Sequence, residues 1–131
     1  MNASRSLLGL VFIHLWSAAS WASQPQVITV AQVLKSPTQY AGKTILVKGR
    51  VFSDRHHKML LLDSPSDPQG IALFFSEAAK DTRDFDRFTS AVAREAGRAG
   101  ARGVVATFSG TVLLRESKVL FAATTVSLPA P

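Results

Sequence analysis

The succession of hydrophobic periods predicts a mainly β domain with added helix: three strands, one amphipathic helix, then two further strands, with a short helix in front. Three observations carry this. Thr44 to Asp54 alternates with period two, the pattern switches to a helical period between Thr82 and Gly97, and Gly103 to Leu114 and Val119 to Leu128 read as two further strands. At 131 residues, with 47% hydrophobic and 18% charged side chains, the chain has room for one domain and is too apolar for a disordered tail.

The elements follow in order. Thr29-Val30-Ala31-Gln32 is a capping box, in which Thr29 accepts from the Gln32 amide while the Gln32 side chain reaches back, so a short helix is expected over Val30 to Lys35. Ser36-Pro37 ends it, because the residue before proline avoids helical backbone angles, and Tyr40 to Lys43 turns the chain. The first strand sets Ile45, Val47, Gly49 and Val51 on one face and Leu46, Lys48, Arg50 and Phe52 on the other. Gly49 inside it signals a bulge or a sharp bend. Met59 to Asp63 and Ile71 to Phe75 complete an antiparallel meander, with Ser64 to Gly70 as the turn between them.

Phe85, Phe88, Val92 and Ala96 share one sector of a helical wheel, and Arg83, Arg87, Arg94 and, if the helix continues past Gly97, Arg98 share the opposite one. Local pairs, Arg83 with Asp86, Asp84 with Arg87 and Glu95 with Arg98, are expected to neutralise that arginine stripe as a solvated face. Arg115 to Lys118 joins the last two strands.

The N-terminal residues have a different character. Arg5 is the only charge in the first 22, Leu7 to Leu15 is an apolar run, and Ser20-Trp21-Ala22 puts small side chains at the positions a signal peptidase reads. The expectation is a signal peptide over residues 1–22 cut before Ser23, a leader over 23–28, a single domain over 29–128 and a tail over 129–131, with a periplasmic or secreted product. Loss of Arg5 takes the formal charge from +6 to +5, so the product is basic and suited to anionic partners. There is no cysteine, which removes disulfides, thiol catalysis and cysteine zinc sites.

Thr44 to Val51 with its central Gly49, and Leu60 to Asp63 followed by Gly70 to Leu73, resemble the first strand and the following hairpin of an OB-fold. That fold is a five-stranded Greek-key barrel with a helix between strands three and four; here a short N-terminal helix precedes it. The likeness spans nearly all of the chain beyond residue 22 and is closest in kind to small secreted, periplasmic bacterial OB-fold proteins, with Ser64 to Gln69 lengthening the hairpin. It implies a ligand surface across strands two and three, between the loops joining strands one to two and four to five. Carried onto this chain, those loops are Arg55, His56, His57 and Lys58, and Arg115 and Lys118. Lys48, Arg50 and Phe52 extend the surface from the outer side of strand one, and Phe74 from strand three.

Asp54, His56 and His57, with Asp63 across the hairpin, are the only compact set of metal-ligand types, but adjacent histidines point oppositely on an extended chain, and no metal or other cofactor is expected. The chain has no G-x-S-x-G elbow, no H-E-x-x-H and no glycine-rich phosphate loop, so no enzyme activity is expected. The expected function is an exported, non-enzymatic binding module that engages an anionic glycan, peptide or protein through its basic barrel face. The alternative is a single-stranded nucleic-acid binder, with cations on phosphates and Phe52 and Phe74 as stacking surfaces. A third reading is a structural accessory whose partner reads a sheet edge or the first helix.

Overall fold

The computed structural model describes residues 26–54 and 58–130. The expected signal peptide and its cleavage position lie outside the described residues, as do Arg55, His56 and His57.

The chain runs β1 (Val27–Thr29), α1 (Val30–Lys35), α2 (Pro37–Tyr40), β2 (Thr44–Ser53), β3 (Met59–Leu62), β4 (Ile71–Phe75), α3 (Glu77–Lys80), α4 (Arg83–Ala96), β5 (Val104–Arg115) and β6 (Lys118–Ser127). The five expected strands are β2 to β6, and they close on themselves. β2 pairs antiparallel with β3 and β3 with β4; β4 runs parallel to β6, β6 antiparallel to β5, and β5 returns antiparallel to β2. The result is a closed five-stranded mixed barrel of the OB-fold type, with α4 between its third and fourth strands.

Inside it the period-two face of β2 is realised, with Val47 and Val51 buried and Lys48 exposed. Phe88, Phe108 and Phe121 are its largest fully buried side chains. Each contributes roughly 1.5–3 kcal/mol on burial. Phe75, Phe85, Phe88 and Phe108 form an aromatic cluster, with Phe75 and Phe85 edge-on at 5.0 Å and Phe88 and Phe108 edge-on at 5.5 Å. This cluster ties α4 to β4 and β5.

Three short elements go beyond the sequence expectation. β1 adds three residues parallel to β2, pairing Val27 to Leu46 and Thr29 to Lys48. Ser36-Pro37 does not simply end the helical region: proline suits a first helical turn, where its missing N–H costs nothing, and α2 starts on it. α3 is capped by the Ser76 hydroxyl, which accepts from the Ala79 amide. The irregularity is also displaced. β2 keeps unbroken register with β5 through Gly49, and the slip occurs instead in the β5–β6 pair between Ser109 and Gly110. Gly49 lies where the other edge of β2 passes from β1 to β3, and a Cβ there would stand 2.8 Å from Leu61 Cδ1 and 2.9 Å from the Leu62 carbonyl oxygen.

The capping box forms as expected: the Thr29 hydroxyl accepts from the Gln32 amide at 3.1 Å, and Gln32 Oε1 accepts from the Thr29 amide at 2.8 Å. A second cap comes from far along the chain. Asp63, just after β3, accepts the Val30 amide at 3.0 Å on one carboxylate oxygen and the Ala31 amide at 2.8 Å on the other. Between them, the box and Asp63 satisfy all four amides that this helix start leaves open, those of Thr29, Val30, Ala31 and Gln32. This cap holds α1 against the barrel, with Val30 and Val33 in the core.

Candidate functional site

The outer face of the barrel is built by side chains that alternate with the core. Leu61 and Leu73 point inward and are buried, so Leu60, Ala72 and Phe74 point outward. Pairing aligns Leu60 with Ala72 and Ala72 with Leu120, which makes an apolar row running across β3, β4 and β6. Leu60 is 40% exposed and Phe74 56% exposed, the largest exposure among the big apolar side chains of the described residues.

Over this row lies a groove of about 550 Å³, whose lining also includes Met59, Phe75 and Phe85. The volume is that of a small ligand site or of a few side chains of a peptide. Lys58, Lys80 and Lys118 reach its lining from three separate elements, together with Asp54. The loop ahead of β3 is clasped at its base: the Asp54 amide donates to the Lys58 carbonyl at 2.9 Å, and the Lys58 amide donates to Asp54 Oδ1 at 2.9 Å. Lys118 is placed by the tight β5–β6 hairpin, whose Glu116 and Ser117 both have positive φ, at 49° and 66°. Lys80 ends α3 and pairs with Glu77 at 3.1 Å. With the Glu77 side chain 91% exposed, that pair is worth little and leaves the ammonium available.

The described lining therefore has apolar side chains, three ammonium groups and one carboxylate, and no hydroxyl, amide or imidazole side chain. Such a surface favours a ligand with an apolar body and negative charge.

Of the residues expected at the site, the structure brings together Lys58, Phe74 and Lys118. Arg50 and Phe52 are directed elsewhere: Arg50 Nη1 donates to the Arg102 carbonyl at 3.3 Å, and the Phe52 ring lies on Gly103 so closely that a Cβ there would stand 2.7 Å from it. Lys48 and Arg115 are exposed but are not part of the lining. Asp63, offered as a metal ligand, instead has both carboxylate oxygens on the α1 amides. Among the described residues no cluster of three metal-ligating side chains occurs.

Sequence reasoning missed Leu60, Leu120 and Lys80. A signal for the first two was present: Met59 to Leu62 and Val119 to Ala123 are continuous apolar runs rather than alternating ones, so each must present apolar side chains outward as well as inward. Lys80 carried no such signal, since α3 itself was not expected.

No protein-family model matches the sequence, and no curated protein matches it. Among solved structures, the chain is similar to one assigned to an aspartyl-tRNA synthetase from Leishmania major Friedlin, at 15% identity and a TM-score of 0.47 over 79% of this chain; it spans 20% of that protein's length. It is similar to the OBody AM3L09, solved bound to hen egg-white lysozyme, at 15% identity and a TM-score of 0.44, covering 79% of this chain and 94% of that one. The second OB-fold domain of replication protein A from Methanococcus maripaludis matches at 13% identity and a TM-score of 0.37, covering 70% of this chain and 88% of that domain.

Proposed function

We propose that the protein is an exported, non-enzymatic binding module whose groove receives an acidic, amphipathic segment of a partner protein. The observation that supports this most is the pairing of an apolar floor, Leu60, Ala72, Phe74 and Leu120, with a rim of Lys58, Lys80 and Lys118. Apolar side chains of the partner settle on the floor while its carboxylates meet the ammonium groups. Barrel closure excludes strand addition at β3 or β4, because both edges of each are already paired. The partner is therefore held through side chains. Export to the periplasm or beyond is part of the same reading and rests on the pattern of residues 1–22.

A second reading, single-stranded nucleic acid, is favoured by Phe74, whose exposed ring beside lysines is a stacking surface. Fluorescence anisotropy separates the two with three labelled probes: a short peptide alternating Glu and Leu, an oligothymidylate and an oligogalacturonate. Selective binding of the peptide, weakened about tenfold or more by Lys58→Glu with Lys118→Glu, is the expected result. Phe74→Ala should weaken it while leaving the fold intact. Selective oligothymidylate binding replaces the first reading with the second, and peptide affinity unchanged in both variants refutes the groove as the site.

A further inference from the structure

The outer face of α4 carries a second cationic surface that shares no residue with the groove. Arg83, Arg87 and Arg94 lie within a sector of about 40° at 100° per residue, opposite the buried Val92, and Arg98 continues the line just past the Gly97 cap. All four are exposed. From Arg83 to Arg94 the ridge is about 16 Å long at 1.5 Å per residue. The local pairs expected to neutralise it form only in part. Between described residues, Arg98 meets Glu95 at 3.7 Å, whereas the Arg83–Asp86 and Asp84–Arg87 pairs are not made. Glu95 is also committed to the loop beyond, since its other carboxylate oxygen accepts the Arg102 amide at 3.0 Å.

Every cation of the ridge is arginine, whereas the cations of the groove's described lining are lysines. Guanidinium groups bind phosphate through paired N–H donors, which an ammonium cannot do. Asp86, Ser90 and Ala91 lie beside the arginines, with Leu128 and, toward Arg98, Glu95 in the shallow depressions along the same face. These side chains supply no aromatic platform for bases and no large apolar wedge from the helix for insertion. What remains is a line of exposed guanidinium groups, flanked by Asp86, that can meet the phosphates of a flat anionic surface.

We propose that this arginine ridge lays α4 along an anionic phospholipid bilayer, held by headgroup phosphates. The groove then stays free for its ligand. The test is co-sedimentation of the full chain with vesicles of phosphatidylglycerol and phosphatidylcholine, against vesicles of phosphatidylcholine alone, at low and at physiological salt. Each cation close to an anionic surface contributes about fivefold to adsorption. Arg87→Glu with Arg94→Glu is therefore expected to reduce partitioning at least about tenfold. Lys35→Glu with Lys43→Glu, an equal change in net charge away from the ridge, should alter it by less than about threefold, and Phe74→Ala should leave it unchanged. Circular dichroism verifies that each variant folds. Equal losses in the two charge-reversed variants would mean that net charge alone drives adsorption, and would overturn the proposal. Adsorption insensitive to salt and to both reversals would place the contact in the apolar residues 7–15 and overturn it as well. So would binding of oligothymidylate through the ridge without adsorption to vesicles.

Discussion

Asp63→Ala tests whether the barrel and its N-terminal helix are one cooperative unit. In the folded protein the carboxylate of Asp63 accepts two amides of the first turn of α1, at 3.0 and 2.8 Å, across 33 positions of sequence. Val30 is 1% exposed, so its amide has poor access to water once the carboxylate is removed. An unsatisfied buried donor costs about 1–3 kcal/mol. Ala31 is exposed and can rehydrate, so loss of its bond costs about 1 kcal/mol, as for other helix caps. The combined loss is about 2–3 kcal/mol, partly offset where the first turn frays. In a domain of this size that lowers Tm by about 10–20 °C. Asp63→Asn keeps one acceptor and loses the favourable charge at the helix start, so it should cost about 1 kcal/mol. Urea unfolding followed by circular dichroism measures both. A stability of Asp63→Ala within about 0.5 kcal/mol of the unaltered protein would refute the cap as an anchor, and equal costs for the two variants would assign the effect to charge rather than to hydrogen bonds.

Two further variants probe the β5–β6 pair and its turn. Gly110→Ala, at the β5–β6 slip, drives a Cβ into the Ala122 carbonyl and stands 2.8 Å from the Ala123 Cα; backbone on both sides cannot yield cheaply, so a loss of about 3 kcal/mol or more is expected in thermal unfolding. In the β5–β6 turn, Glu116→Asn with Ser117→Gly relieves two side-chain-bearing residues of positive φ and should raise stability by about 0.5–1.5 kcal/mol, measured the same way. A decrease would show that those side chains make contacts that outweigh their backbone strain.

Much of the fold was legible because its signals are local. The Thr29–Gln32 box, the period-two face of β2 and the arginine–phenylalanine division of α4 each depend on spacing within one element, and each appears in the structure at the expected residues. The short elements were not legible for the complementary reason: three or four residues of β1, α2 or α3 hold too few periods to be distinguished from a loop, and β1 forms only because the edge of β2 is there to pair with it.

The site divides in the same way. Lys58, Phe74 and Lys118 could be nominated from a strand order and a loop position, since those follow from the sequence once the barrel is assumed. That Arg50 and Phe52 turn toward the 102–103 segment instead, and that Lys80 joins the rim, depends on partners about fifty residues away in the first case and on an unforeseen helix in the second. Asp63 is the clearest instance. Composition marks it as a carboxylate at the end of a strand, available to a metal or to solvent. Only closure of the barrel brings the open amides of α1 to it, and two hydrogen bonds from a helix start outweigh an uncertain ligand set in deciding what that side chain does. Spacing along the chain thus determined which of the longer elements form and which face of each is apolar, because those are properties of one segment's backbone period. Tertiary structure alone decided which cations meet over the apolar row and which are spent elsewhere, because that depends on through-space distances that no segment carries by itself.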